Sequence, residues 1–234
     1  MNIDTDDYDG EWFCRFKSLS SDTPFAITYP NFSMLTSRYD GDVKSLYNFL
    51  LSKVDVIKKL PAHKETTGLS SDKISTRWDK YNLFNTFANK ELDKLKKHVI
   101  INYSKYCFRC GVSPEKIMIH AWYNVIEHGD CISEHAHEYG TMSYLSANVY
   151  LGGDDGDEPS STRYLIMNRD ENLYMRNRDG DLTMFPSYVP HATSVYTGTT
   201  PRVSIGINIF PARYYSMYND NKEHHWMKYI EMEN

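Results

Sequence analysis

The run "MFPSYVPHATSVYTGTTPRVSIGINIF", Met184 to Phe210, decides the fold. It reads as one extended segment into Pro190, a second that opens at His191, a turn over Thr197 to Thr200, and a return strand on which Arg202 and Ser204 take alternate positions. Alternate residues of a strand share a face, so Arg202 and Ser204 point the same way. Working outward, the period is two from Lys116 onward, with turn signals between "KIMIHAWYNVI", "GTMSYLSANVYL", "STRYLIM", "NLYMR", "DLTMFPSYV", "HATSVYT" and "RVSIGINIF". Many short strands with long turns predict a sandwich or barrel of the jelly-roll kind.

The first half has a different period. After Asp40-Gly41-Asp42, apolar residues at Val43, Leu46, Tyr47, Leu50, Val54 and Ile57 predict an amphipathic helix to about Leu60, stopped by Pro61. Ala88, Leu92, Leu95, Val99, Tyr103 and Tyr106 form a second stripe, with Lys90, Lys94, Lys96 and Lys97 opposite as a solvated face, ending near Gly111 and Pro114. The expected fold class is α+β, a jelly-roll core with the helices of the N-terminal half packed outside. One domain is expected over 1–234: a mainly helical part over 1–115, a jelly-roll core over 116–212 carrying the site, and a tail over 213–234 ending in a further helix.

At 234 residues and 41% hydrophobic, the chain can bury a sizeable core. A net charge of −5 argues against a surface that binds nucleic acid through phosphates. The N-terminal "MNIDTDDYDGEW" has neither a basic n-region nor an apolar h-region, and no stretch reaches membrane-span length, so a soluble cytoplasmic protein is expected. Four cysteines, Cys14, Cys107, Cys110 and Cys131, are too few for a disulfide framework, and "CFRC" reads as reduced thiols near a helix end. The acidic "DDGDE" lacks the order of a calcium loop and reads as a hairpin tip.

"SEHAHEYG", Ser133 to Gly140, is the segment that carries chemistry. On an extended segment His135 and His137 aim at one point, a chelating spacing. Two such histidines alone are more often ordinary polar residues of a strand, and His191 is what adds weight. His120 and His128 flank the Trp122 strand; His120 shares a face with Trp122 and Asn124 but reads as a satisfied core histidine, and His224 and His225 read as surface residues. Arg202 on its own would be an ordinary salt-bridge partner.

Taken together, His135-Ala136-His137, His191 and then Arg202-Val203-Ser204, with Arg202 11 residues after His191, resemble the iron(II)- and 2-oxoglutarate-dependent oxygenases. The pattern is closer to a branch of these found in bacteria and tailed phages. Trp122 and Asn124, Ser146 and Tyr150, Phe185-Pro186-Ser187 and Asn208 fill its remaining positions, and the likeness spans about residues 116–212. The resemblance implies a double-stranded β-helix holding Fe(II) through His135, His137 and His191. It places 2-oxoglutarate against Arg202 and Ser204, with Tyr150, Asn124 and Asn208 as helpers. It implies consumption of O₂, release of succinate and CO₂, and hydroxylation of a prime substrate, a small molecule or a protein side chain, that the sequence does not name; the oligomeric state is equally unread. A buried dicarboxylate suits a forked guanidinium partner, and open metal positions suit O₂ chemistry.

One departure stands out: the usual third ligand is a carboxylate, and His137 occupies its slot. Glu138 or Glu134 could supply a carboxylate only by a register slip, which turns a side chain to the other face, so His137 ranks above both. The alternatives are a cupin-like metalloenzyme that does not use 2-oxoglutarate, for which three histidines are natural, and a non-catalytic jelly-roll binding or virion protein.

Overall fold

In a computed structural model of the chain, the structure describes residues 2–3, 11–17, 31–62, 73–137, 144–153, 160–166, 172–214 and 228–230. The elements in chain order are β1 (Asn2–Ile3), β2 (Glu11–Phe16), β3 (Phe32–Arg38), α1 (Val43–Ser52), α2 (Val54–Lys58), a 3-10 helix (Ile74–Lys80), α3 (Leu83–Thr86) and α4 (Lys90–Cys110). The strands that follow are β4 (Ile117–Ile126), β5 (Leu145–Leu151), β6 (Ser161–Leu165), β7 (Asn172–Arg176), β8 (Asp181–Pro186), β9 (His191–Thr193), β10 (Arg202–Pro211) and β11 (Lys228–Ile230).

Two sheets result: a seven-stranded one ordered β11-β4-β10-β5-β8-β3-β2 and a four-stranded one ordered β1-β7-β6-β9. Pairing is antiparallel throughout except between β1 and β7. At one end the sheets meet through Trp12, Phe16, Met34 and Phe185 of the large sheet and Tyr164, Leu173 and Met175 of the small one. This is the expected jelly-roll sandwich.

β10 is buried along its whole length, and the pleat sorts its residues into two environments. Val203, Ile205, Ile207 and Ile209 join the core beneath the helices. Arg202, Ser204, Gly206 and Asn208 turn to the opposite face. Register then makes tiers on that face: Ser204 beside Asn124 and Tyr150, Gly206 beside Trp122 and Asn148, Asn208 beside His120 and Ser146.

α4 follows the expected stripe, burying Leu92, Leu95, Val99, Tyr103 and Tyr106. Asn89 caps its start, accepting from the amides of Glu91 and Leu92, and Gly111 closes it at φ 75, a left-handed position that glycine takes without strain. α1 starts at its Asp42 cap, but the helix read as continuous to Leu60 breaks at Lys53. The Lys53 amide bonds Leu50 O and the Ser52 hydroxyl bonds Phe49 O, tightening the turn and diverting a carbonyl from the ladder.

Helices predominate in the described N-terminal part, but it also supplies two strands that the sequence reading did not expect, β2 and β3, which extend the large sheet beyond β8. All but the last residue of β3 is buried, which removes the alternation that marks a half-exposed strand. In place of the helix expected at its end, the tail, where described, carries a 3-10 turn over Ala212–Tyr214 and the strand β11, which adds to the edge of β4 at Ile117–Ile119. His224, His225, Glu138 and the acidic "DDGDE" tip lie outside the described residues. All four cysteines are free. Among the described residues no helix is long and apolar enough to cross a membrane.

The remaining edge of β4 is covered by the segment after the 3-10 helix. Asn82 Oδ1 accepts from the Ala121 amide at 3.3 Å, Asn82 Nδ2 donates to Ile119 O at 2.8 Å, and Tyr81 OH accepts from the Tyr123 amide at 2.9 Å. Side chains thus satisfy backbone groups that a bare edge strand would expose.

Candidate metal centre and co-substrate pocket

His191 heads β9, and the segment carrying His135 and His137 runs beside it. His135 and His191 exchange backbone hydrogen bonds of 3.0 and 2.9 Å, and the His137 amide donates to Ser187 O at 2.9 Å. The extended conformation turns both histidines toward His191. Ring centroids lie 4.4 Å (His135–His191), 5.0 Å (His137–His191) and 5.3 Å (His135–His137) apart. One ring nitrogen from each of the three falls within 4.8 Å of the others, close enough to share one ion.

The tautomers follow from the partners. His135 Nδ1 lies 2.8 Å from Ser133 O, His191 Nδ1 3.1 Å from Val189 O, and His137 Nδ1 2.6 Å from Asn208 Oδ1. Carbonyl oxygens only accept, so each Nδ1 carries the hydrogen and each Nε2 keeps its lone pair for a metal. Burial holds the imidazoles in that neutral state. His137 is pushed down to about 3, chiefly by desolvation and then by neighbouring His135. His191 lies well below its ordinary range and His135 is lowered, again with burial as the first cause.

Glu134 does not join the cluster, because its carboxylate pairs with Arg163 at 2.6 Å. His120 is fully buried and bonded to backbone carbonyls, as a core histidine should be. His128 bonds Thr197 O at the surface.

The three histidines open into a cavity of about 300 Å³ whose lining includes Asn124, Asn148, Tyr150, Thr162, Ser204 and Asn208. Beyond the Ser204 tier lies Arg202, 1% exposed. Its three guanidinium nitrogens have no acceptor among the described residues, and its Cζ sits 5.4 Å from the Tyr196 ring centre. A buried cation without a counter-charge costs several kcal/mol, roughly, so the position suits an incoming carboxylate. Gly153 makes room for it: at φ 87, a Cβ there would stand 2.5 Å from Arg202 Cβ.

All three helpers are engaged in a specific way. Thr162 donates to Asn177 Oδ1 at 2.8 Å, so in its 2.7 Å bond with Tyr150 the phenol is the donor. Asn208 Oδ1 accepts from Ser146 at 3.1 Å as well as from His137, which makes it a brace for a histidine rather than a free pocket group. Asn124 Nδ2 donates to Ser204 Oγ at 3.3 Å.

Sequence reasoning did not find Trp78, which enters the pocket wall from the 3-10 helix, nor Gly206, over which the Trp122 indole lies. Trp78 stands 39 residues before the start of β4 in a segment without a motif, whereas a glycine alternating with polar residues on a pocket-facing strand was a readable signal.

Comparison with known proteins agrees with this geometry. Residues 120–208 match the family model described as "Putative 2OG-Fe(II) oxygenase". No curated protein sequence matches the chain. Among solved structures, the chain is similar to a Pseudomonas putida prolyl-4-hydroxylase, at 13% identity and a TM-score of 0.50, covering 76% of this chain and 92% of that one. It is similar to SnoK, the non-heme alpha-ketoglutarate-dependent carbocyclase of nogalamycin biosynthesis, at 14% identity and a TM-score of 0.52, covering 76% and 79%. It is also similar to AviO1 from Streptomyces viridochromogenes, at 10% identity and a TM-score of 0.53, covering 76% and 89%. At these identities the neighbours speak for the double-stranded β-helix fold. Residues 120–208, carried on that fold, are thus similar to the iron(II)- and 2-oxoglutarate-dependent oxygenases.

Proposed function

We propose that His135, His137 and His191 hold iron(II) through their Nε2 atoms, and that 2-oxoglutarate lies between the metal and Arg202. The observation that carries this reading is the buried Arg202 guanidinium without an acceptor, on the same face of the large sheet as the cavity the histidines open into. Its charge supports the distal carboxylate, with the Ser204 hydroxyl two residues on at the same face. Tyr150, whose phenol donates to Thr162, is assigned to shaping the pocket wall between the histidines and Arg202. Asn124 steadies Ser204, and Asn208 keeps His137 in the Nδ1–H tautomer.

Iron(II), when bound, supplies the oxidation by O₂ that couples decarboxylation of 2-oxoglutarate to succinate with hydroxylation of a second substrate. The protein's own part is placement. The three imidazoles would hold the ion, with further positions for the keto acid and O₂, and the surrounding apolar walls limit water. Being neutral, the three ligands would leave the charge of the metal uncompensated toward the dicarboxylate. We read residues 1–234 as one oxygenase unit working in a reducing cytoplasm, where its cysteines remain thiols.

The test is anaerobic titration of the iron(II)-loaded protein with 2-oxoglutarate. A visible metal-to-keto-acid charge-transfer band that saturates at one equivalent is expected, followed by succinate on admission of air. Tight metal binding with no such band would refute this reading and favour a metalloenzyme that does not use the keto acid.

A further inference from the structure

Among the described residues, Trp78 is the one cavity-wall residue that comes from outside the strands and loops of residues 120–208. Its indole packs on Trp122 with centroids 5.8 Å apart, and Trp122 in turn lies 5.4 Å from His137. Both indoles therefore stand beside the histidine cluster, on the β4 side, while the Ser204, Asn124 and Tyr150 tier leads away toward Arg202.

The position of Trp78 is fixed from below. His120, 0% exposed on β4, brings Nε2 within 3.0 Å of Trp78 O and 3.1 Å of Tyr81 O. Both partners are carbonyls, so Nε2–H is a shared donor that ties the end of the 3-10 helix to the sheet. The His120 ring also packs against the Trp122 and Trp78 rings, at 5.1 and 6.2 Å.

Given the function proposed above, on which this rests, we infer that Trp78 and Trp122 seat the reacting group of the prime substrate. That group is a neutral aliphatic one of side-chain size, and His120 is the positioning residue that holds Trp78 in place. Size follows from the cavity: about 300 Å³ is at the small end for ligand pockets, and the keto acid occupies part of it. Polarity follows from the wall. The two indoles present apolar faces, and Glu134, the formally charged residue among the described lining, is already paired with Arg163. A charged group would lose its water there and find no free counter-charge, whereas saturated C–H groups pack well against indole faces.

The probes are N-acetyl-leucine amide, N-acetyl-lysine amide and N-acetyl-glutamic acid amide, added to the full chain loaded with diamagnetic Zn(II) and 2-oxoglutarate and labelled with 5-fluorotryptophan. The fluorine resonances of Trp78 and Trp122 are assigned from Trp78→Phe and Trp122→Phe. The leucine probe should shift both saturably and at least about tenfold more tightly than either charged probe, the difference expected for burying a Leu side chain. Trp78→Ala should weaken the leucine probe by about the same factor and leave 2-oxoglutarate affinity, read by calorimetry, in place. His120→Leu should reproduce the loss and His120→Gln, whose amide can still donate, should restore binding. Normal 2-oxoglutarate binding without preference for the leucine probe, or a Trp78→Ala variant that binds it like wild type, overturns this inference alone. Failure of wild type to bind 2-oxoglutarate overturns the underlying functional reading and this inference with it.

Discussion

Gly206 on β10 and Trp122 on β4 are register partners, and a Cβ on Gly206 would stand 2.6 Å from Cζ2 of the indole. The indole therefore lies flat across a strand only because position 206 has no side chain. Gly206→Ala should push Trp122 toward His137, 5.4 Å away. Overpacking of this kind costs about 1–3 kcal/mol. Thermal melts should show the loss without metal, and Mn(II) titration should show weakened binding. A variant that melts and binds as wild type would mean the indole has room the structure does not display.

The three histidines should contribute unequally to replacement by other ligands. His135→Ala and His191→Ala should each abolish tight Mn(II) binding in calorimetry, because no third imidazole among the described residues remains within reach of the ion. His137→Asp should retain binding, since a carboxylate is a competent ligand at that place. Unchanged affinity in both alanine variants would end the metal-centre assignment.

Asn208 offers a test of orientation rather than ligation. Its Oδ1 takes the His137 Nδ1 hydrogen at 2.6 Å, and loss of such a partner typically lowers metal affinity by roughly 10–100-fold. Asn208→Ala should fall in that range, while Asn208→Asp, which still accepts, should lose less. Calorimetry with Mn(II) distinguishes the two.

The elements that sequence reading recovered are those where one physical signal dominates. α4 has a capping Asn89, a regular stripe and a terminal Gly111, and β10 alternates between a core and a pocket. The histidines and Arg202 were legible because strand pleating turns a spacing of two into a shared face. β3 was not, since burial on both faces leaves no alternation. Trp78 was not legible either, because its place depends on side chains of Tyr81 and Asn82 pairing with an edge of β4 far along the chain. No local pattern encodes that pairing.

Acid should destabilise the metal-free chain. His191 is 4% exposed, and its folded value lies well below the ordinary 6.5. Between the two values the unfolded chain binds the proton and the folded chain does not, so stability rises with pH. The stability present at neutral pH is thus lost as pH falls below about 6.5 and continues to fall toward the folded value, at about 1.4 kcal/mol per pH unit for one such histidine. Urea melts of the metal-free protein at descending pH give the slope. His191→Gln, which cannot titrate, should flatten it, and an equally steep variant would place the acid sensitivity elsewhere.

Arg202 carries the sharpest prediction, because its guanidinium is buried, lacks an acceptor among the described residues, and already has its pKa lowered by burial. A carboxylate arriving there exchanges water for a forked, charge-assisted pair that a lysine's point charge reproduces poorly. Arg202→Lys should therefore weaken 2-oxoglutarate binding. Arg202→Ala leaves the distal carboxylate without its cation; removing one partner of a buried pair costs about 3–5 kcal/mol, or roughly two or more decades of affinity. Metal affinity should hardly change in either variant, since the three Nε2 donors are untouched. The measurement is the anaerobic charge-transfer titration, run in parallel with Mn(II) calorimetry. If Arg202→Ala titrates with 2-oxoglutarate as wild type does, the co-substrate lies elsewhere and the orphaned guanidinium needs another partner. If metal affinity falls together with keto-acid affinity, Arg202 supports the fold of the site rather than the co-substrate.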